Sequence, residues 1–464
     1  MRELGRPVLA AAGVVVLGAV MTILDTTIVN IAIDRLGVVF DAPLTTIQWA
    51  STAYLLALAA VIPLTGWAVD RFGTRRVFMS AVAVFVFGSA LCGLAWSAGS
   101  LIAFRVLQGL GGGMVMPVGM TILARAAGQE RMGRVMALVG VPMLLAPAIG
   151  PIIGGALVDG ASWRLIFFLN LPIGALTLVL ASRVLARETP SGAGPLDVRG
   201  ALLLSPGLAL MVLGLSAGGA WPALPVGAVL VAAFALHALR VEHPLIDLRI
   251  LRDRTVAAAT ATVLLFAGAF FGSLLLLALY FQLARDLSAF DAGLLLLPQA
   301  IGAMLTMPVA GKLTDRIGAG AIVLPGVILV VLGTIPAVMQ DPPALLLGAG
   351  LVLRGAGMGA TLMPAMAAAY QALPEAAVAR AASLLEIVQR VGASLGIALL
   401  AVVLQHGLHG FTLSALEDMP AAARPDLDPA FSTAFGWAVA LTAITIVPAL
   451  LLPRRAPVPA PAPA

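Results

Sequence analysis

One carboxylate is conspicuous for where it falls. Asp25 lies in Leu24-Asp25-Thr26-Thr27-Ile28-Val29-Asn30, inside an apolar run from Val8 to Ile33. It is about 17 residues into that run, or roughly 25 Å along a helix that rises 1.5 Å per residue. An ionised carboxylate facing lipid costs at least about 3 kcal/mol, so Asp25 should face an internal cavity. Removal from water favours the uncharged acid, which would suit it to carry a proton. The alternative is a structural carboxylate held by hydrogen bonds. Arg105 sits about six residues inside another apolar run, or roughly 9 Å deep. If the two helices run in opposite directions, both groups lie at a similar level. Arg105 would then either tune the acid or form a static pair that ties two helices together. Glu386 and Arg390 stand four residues apart on one helix face, about 12 Å into a further run. They are either a self-neutralised pair or a second titrating site. Asp25, Asn30 and Glu386 are the candidates for touching substrate, and Arg354 opens a further glycine-rich helix.

A second group of charges lies between apolar runs and repeats. Gly66-Trp67-Ala68-Val69-Asp70-Arg71-Phe72-Gly73 and Gly311-Lys312-Leu313-Thr314-Asp315-Arg316-Ile317-Gly318 share the pattern G-x-x-x-D-R-x-G. Leu107-Gln108-Gly109-Leu110-Gly111 and Leu353-Arg354-Gly355-Ala356-Gly357 follow at nearly the same offset, and each leads to a Met-Pro pair. Two halves of the same topology therefore follow one another, as in parallel-repeat transporters. Gly109, Gly111, Gly112 and Gly113, and Gly140, Pro142, Gly150, Pro151, Gly154 and Gly155, allow close helix contact and local kinking, either as a deformable seam or as tight packing without motion; packing is the reading for Gly111 to Gly113.

The elements that carry these residues follow from composition. The 464 residues are 61% hydrophobic and 11% charged, against roughly 25% charged in soluble domains. That excess of apolar side chain has to face lipid. Fourteen candidate spans of about 20 residues begin near Val8, Thr46, Val77, Leu101, Met132, Leu165, Gly200, Leu224, Val256, Ala292, Ala321, Ala344, Val378 and Phe431. The first is too long for a signal-peptide core and is read as retained. An even count puts both termini on one side. With the N-terminus in the cytoplasm, basic residues favour the inside roughly five to one, with only Arg35, Arg164, Arg285 and Arg424 outside. The expected fold is an all-α polytopic membrane protein. It has two pseudo-symmetric six-helix bundles, 1–190 and 244–453, an inserted two-helix hairpin at 191–243, and a disordered Pro-rich tail at 454–464.

The net charge of +5 is spread between apolar runs, so nucleic acid is not the expected partner. The single cysteine, Cys92, excludes an internal disulfide. His406 and His409 have no third ligand nearby in sequence, so neither a metal site nor a cofactor is expected. No P-loop or H-E-x-x-H appears, which argues against an ATP-driven pump and against an enzyme.

In order along the chain, the motifs resemble the major facilitator superfamily in its fourteen-helix drug:proton antiporter branch. Gly66 to Arg76 resembles the family's loop motif between helices two and three, and Leu101 to Gly113 its fourth-helix motif. Gly140 to Gly155 resembles the fifth-helix antiporter motif, and Leu24 to Asn30 the branch's first-helix motif. Trp163 to Gly174 and Pro244 to Leu248 are also similar to this branch. The resemblance implies that Asp25 and Arg105 take part in proton coupling. It also implies that Asp70, Arg71, Arg75 and Arg76 form a cytoplasmic latch, with Asp315 and Arg316 in the second repeat. The expected function is export of small, amphipathic or drug-like molecules in exchange for protons, by a monomer in the cell membrane. Proton-coupled import and a non-transport sensor are the competing readings. The Gly140–Gly155 stretch favours export, and the charges in helices one and four argue against a sensor.

Energetics set a condition on cationic substrates. One proton entering through 100 mV supplies roughly 2.3 kcal/mol, and one pH unit adds about 1.4. Exchange of one proton for one monovalent cation moves no net charge, which leaves only the pH term and roughly a tenfold gradient. Strong export of cations needs a second acid, and Glu386 is the candidate. Glu386→Gln should therefore weaken transport of a cation more than transport of a neutral compound of similar size. Equal losses for both compounds would assign Glu386 a structural role.

Overall fold

In the computed structural model every regular element is helical among the described residues, which are 5–160, 162–187, 194–215, 222–339, 342–374, 377–408 and 427–454. The chain begins with α1 (Arg6–Ile31), α2 (Ile33–Phe40), α3 (Leu44–Val61), α4 (Leu64–Phe72), α5 (Thr74–Gly93), α6 (Ala98–Ala127) and α7 (Met132–Gly160). Next come α8 (Arg164–Phe168), α9 (Asn170–Val184), α10 (Val198–Leu215), α11 (Ala223–Arg240) and α12 (Arg254–Leu279), which runs into a π-turn at Tyr280–Ala284. The rest is α13 (Ala289–Leu295), α14 (Leu297–Ile317), α15 (Gly320–Val338), α16 (Ala344–Ala372), α17 (Val378–Gly407), α18 (Asp428–Ile444) and α19 (Ile446–Leu450). Among the described residues twelve helical segments are long and apolar enough to cross a membrane, and α7 and α10 contribute two shorter apolar stretches, Met132–Pro147 and Val198–Gly214. Helices thus begin within about three residues of every expected start. The Pro-rich tail from Arg455 onward lies outside the described residues, as does His409.

Helix ends follow local chemistry. Ser97 and Ser100 exchange side-chain bonds with each other's backbone N–H to open α6. Asp253 accepts from Thr255 N and Val256 N to open α12. Gly73 and Gly318, the last residues of the two G-x-x-x-D-R-x-G copies, have φ of 84° and 88°. Only glycine adopts that conformation without a steric penalty, so the repeated residue marks a repeated sharp turn.

The chain packs as two compact units. The first is Met1–Gly128, Pro142–Ile250 and Leu373–Ile387; the second is Gln129–Val141, Leu251–Ala372 and Val388–Ala464. The beginnings of α7 and α17 therefore cluster with the other repeat's loop motif, a division that the two halves read from sequence did not include. Within unit 1, α10 packs along both α11 and α3. The base of this hairpin is tied by Asp197. One carboxylate oxygen accepts from Gly200 N at 2.8 Å and meets His237 Nε2 at 2.9 Å, and the other accepts from Leu245 N at 3.2 Å.

Within unit 2, α12 and α17 approach to backbone contact. Gly268 and Gly272 on α12 face Gly392 and Gly396 on α17, and a Cβ on Gly396 would collide with the carbonyl of Gly268. Small residues at this spacing let two helices close without a side-chain layer. Gly396→Ala should cost about 1–3 kcal/mol of stability through overpacking, whereas Gly436→Ala, with nothing within 4 Å of its added Cβ, should cost none. Thermal unfolding of the purified variants tests this. Equal melting temperatures would show that the seam yields freely.

Candidate functional site

Five helices of unit 1 converge on Asp25. Its Oδ2 is paired with Nη1 of Arg105 from α6. Its Oδ1 accepts from Gln108 Nε2, one turn further along α6, at 2.8 Å, and from Asn170 Nδ2 at the start of α9 at 2.8 Å. Asn170 also donates to Ser89 Oγ on α5 at 3.0 Å, and Ser89 donates to the Phe167 carbonyl. Arg105 Nε donates to the Ala50 carbonyl on α3 at 3.1 Å, and its Nη1 to Gln108 Oε1 at 2.8 Å. The guanidinium lies 4.0 Å from the ring centroid of Tyr54. Asp25 and Arg105 are each 1% exposed. Taking both ions out of water costs several kcal/mol each, and the mutual attraction with these added bonds offsets it.

The structure thus joins two residues singled out from sequence and adds Gln108, Asn170, Ser89 and Tyr54. The signal for Asn170 was a polar residue between Phe168 and Pro172 in an apolar run, where the helix breaks at Leu169. Glycines make the convergence possible: a Cβ on Gly88 would lie 2.8 Å from Gln108 Cα, and one on Gly109 would lie 2.5 Å from the Tyr54 carbonyl. Gly111 and Gly113 press on the Phe85 and Leu58 backbones in the same way, so they serve close packing as expected.

Unit 2 holds a counterpart with different chemistry. Arg354 on α16 is 1% exposed. It donates through Nε to Gln299 Oε1 at 3.0 Å, through Nη1 to Thr334 Oγ1 at 3.0 Å and through Nη2 to Ser273 Oγ at 3.1 Å. Its guanidinium faces Phe270 at 5.1 Å. All of these partners are neutral, where Arg105 has a carboxylate.

The loop motifs grip other helices. The G-x-x-x-D-R-x-G copy at Gly66 packs against Arg380 at the start of α17: a Cβ on Gly66 would lie 3.2 Å from Arg380 Cα, and Asp70 Oδ2 pairs with Arg380 Nε at 3.3 Å. Sequence reasoning set Asp70 beside Arg71, Arg75 and Arg76; its ion pair instead crosses to a residue 310 positions away. Arg71 and Arg76 are exposed, and Arg75 Nη2 donates to the Ser182 carbonyl. In unit 2, Asp315 Oδ1 accepts from Gly133 N at 2.8 Å and Oδ2 from Arg134 N at 3.2 Å, with Arg134 Nε 3.4 Å away. A carboxylate from α14 therefore caps the first turn of α7, where its charge also opposes the helix dipole. Gly311 lies against the Gly133 carbonyl, and Arg316 is exposed.

The antiporter-type stretch divides between units. In unit 2, a Cβ on Gly140 would lie 3.0 Å from Met307 Cε. In unit 1, Gly150 presses on Thr27 and Gly154 on Ile28, one turn past Asp25, while Gly155 has open space. Pro142 is half-buried in a helix that continues to Gly160; the side chain of Pro151 lies outside the described residues. Glu386 and Arg390 are half-buried on α17. Asn30 is exposed and accepts from Ser51 Oγ at 2.9 Å. Neither Glu386 nor Asn30 joins the Asp25 cluster.

Paired helical repeats, membrane-length spans and a buried charge cluster define a membrane transporter. Residues 15–397 match the Major Facilitator Superfamily, and the chain belongs to that family. It is a multi-pass transporter of the cell membrane and not an enzyme. It is 41% identical to the Multidrug resistance protein B homolog of Mycobacterium tuberculosis (strain ATCC 25618 / H37Rv), over 96% of this chain and 90% of that one. It is 31% identical to the Tetracenomycin C resistance and export protein of Streptomyces glaucescens, over 84% of this chain and 74% of that one. The crystal structure of the human organic anion transporter MFSD10 (TETRAN) shares the fold with a TM-score of 0.63 at 18% identity, covering 94% of this chain and all of that one.

Burial pushes the Asp70 acid above the ordinary aspartate range, and the nearby Arg380 and Arg125 oppose the shift. Because the folded-state value is raised, stability from this group is greatest at low pH and declines as pH rises through that value. The ion pair to Arg380 behaves oppositely, since it needs the carboxylate. A double-mutant cycle with Asp70→Asn and Arg380→Gln should give a coupling of about 1 kcal/mol near pH 7.5. That coupling should have fallen below half by the time pH reaches the usual aspartate value of about 4. A coupling that persists unchanged to that pH would contradict the assignment.

Proposed function

We propose that this chain exports small, amphipathic, drug-like molecules in exchange for protons by alternating access, with Asp25 as the coupling acid. The observation that carries the reading is the set of three N–H donors held on the buried Asp25 carboxylate. Both oxygens already accept N–H donors, from Arg105, Gln108 and Asn170. A proton arriving on Oδ1 must displace Gln108 or Asn170, and one arriving on Oδ2 removes the charge that holds Arg105. Arg105 would then fall back on the Ala50 carbonyl, Gln108 Oε1 and the face of Tyr54. Protonation on α1 is thereby tied to movement of side chains on α6 and α9.

The neighbouring contacts carry that change outward. Gly150 and Gly154 lie on the turn of α1 that follows Asp25, so a shift of that turn presses directly on α7. The Asp70–Arg380 pair and the Asp315 cap serve as cytoplasmic latches of the two repeats. Each is an electrostatic contact of modest strength that a transport cycle can break. The export direction is supported by the names of the relatives, which include a multidrug resistance protein homolog and a tetracenomycin C resistance and export protein. The twelve membrane-length segments and the two shorter apolar helices would together make fourteen spans. They would form bundles 1–190 and 244–453, with the hairpin at 191–243 inserted between them in sequence, both termini cytoplasmic and the transporter monomeric.

Asp25→Asn separates coupling from binding. Loss of one partner of a buried ion pair costs roughly 3–5 kcal/mol, so the variant should melt earlier and its transport must be normalised to folded protein. In everted vesicles, accumulation driven by a pH gradient should fall to the level seen with an uncoupler. Substrate-for-substrate exchange without a gradient should persist. Gradient-driven accumulation at the wild-type rate would remove Asp25 from the coupling step.

A further inference from the structure

A cavity of about 360 Å³ opens in unit 1 at the beginning of α5, lined by Phe72, Gly73, Arg75, Arg76, Met79 and Arg187. Three arginines thus line one space. Arg75 is fixed by its bond to the Ser182 carbonyl, which also holds the end of α9 beside the start of α5. Arg76 and Arg187 are exposed. The ion pairs among the described residues lie elsewhere, and Asp70, an acid close by in sequence, is engaged by Arg380. Three like charges around one cavity repel one another, and a bound anion with several acceptor oxygens relieves that repulsion.

The surroundings narrow the class of anion. The cavity sits where an apolar span begins, at Thr74, which is the headgroup level of a bilayer. Phe72 and Met79 give it an apolar wall. Below Arg76, positions Ser80, Ala83 and Phe87 follow at helical spacing and are all exposed, with Val84 beside them. From Arg76 to Phe87 this face runs for eleven residues, roughly 16 Å, about half the 30 Å hydrocarbon core. A charged pocket at the head of a lipid-facing stripe one leaflet long matches a phosphate group with an acyl chain attached, and free phosphate would leave the stripe unused.

We propose that this cavity binds the phosphate headgroup of an anionic phospholipid, with Arg76 and Arg187 contacting the phosphate and Arg75 positioning the two helices that carry them. On the topology proposed above, the lipid belongs to the inner leaflet. Occupation would brace the turn at Gly73, which carries the loop motif, so lipid composition would bear on how readily the latch at Asp70 opens.

The full-length protein in a neutral detergent is titrated with dioctanoyl phosphatidylglycerol, with phosphatidylcholine of the same chain length, and with inorganic phosphate. Retained lipid is read by native mass spectrometry and stabilisation by thermal unfolding. Phosphatidylglycerol should bind and stabilise, and phosphatidylcholine should do neither. Arg76→Gln with Arg187→Gln should weaken the binding roughly thirtyfold. Arg240→Gln with Arg252→Gln, which removes the same charge at exposed positions elsewhere, should leave it intact. If the double glutamine variant does not fold, Arg76→Lys with Arg187→Lys is measured instead, and a partial loss is expected because charge is kept and the bidentate fork is lost. Equal binding of both lipids, or binding of phosphatidylglycerol indifferent to Arg76 and Arg187, overturns the proposal. Full stabilisation by inorganic phosphate alone overturns the lipid assignment and makes the cavity a soluble-anion site.

Discussion

The architecture of unit 1 is organised around a buried charge. Asp25 lies at the convergence of five helices, and its carboxylate is acceptable there only because a guanidinium and two amides solvate it. Each of those donors comes from a helix that must pass close by, and each close passage needs a small residue. Gly88 admits the Gln108 backbone and Gly109 admits the Tyr54 carbonyl. Charge satisfaction and glycine placement are therefore one requirement seen from two sides. The buried pair fixes which helices meet, and the glycines fix how closely.

The internal repeat shows what that requirement leaves open. Both copies of the loop motif end on a glycine with φ near 85°, and both place the first glycine against the start of another helix. The backbone solution is duplicated. The interior chemistry is not: Arg105 faces a carboxylate, whereas Arg354 faces two hydroxyls and an amide. A guanidinium keeps its charge throughout the accessible pH range, so among these clustered groups only the unit 1 site offers an acid that can change charge. On the proposed mechanism, one half supplies the titrating group and the other a fixed positive charge.

The two loop-motif aspartates differ in the same way. Asp70 engages a side chain, Arg380. Asp315 engages the backbone N–H groups of Gly133 and Arg134 as well as the Arg134 side chain. A cap on a helix terminus holds orientation through geometry, while the Asp70 pair joins a buried carboxylate to a half-buried guanidinium and depends on charge. The loop arginines that do not pair with Asp70 are left to other duties, of which the cavity at Arg75, Arg76 and Arg187 is the clearest.

Much was legible without coordinates because a bilayer imposes strong rules on a single chain. The length and apolarity of the runs placed the helices, since backbone polar groups in hydrocarbon must be satisfied within the segment. The cost of burying Asp25 and Arg105 marked them as a site, and the duplicated motif disclosed the repeat. What the sequence could not supply were partners set by convergence of distant segments. Asn170 meets Asp25 across 145 positions, and Arg380 meets Asp70 across 310. Glu386 and Arg390 are spaced to share a helix face, yet Glu386 stands outside the Asp25 cluster. Spacing along one helix determines which side chains share a face. Only the packing of several helices decides which face meets which, because that choice is made by shape and by the satisfaction of buried charge over the whole unit.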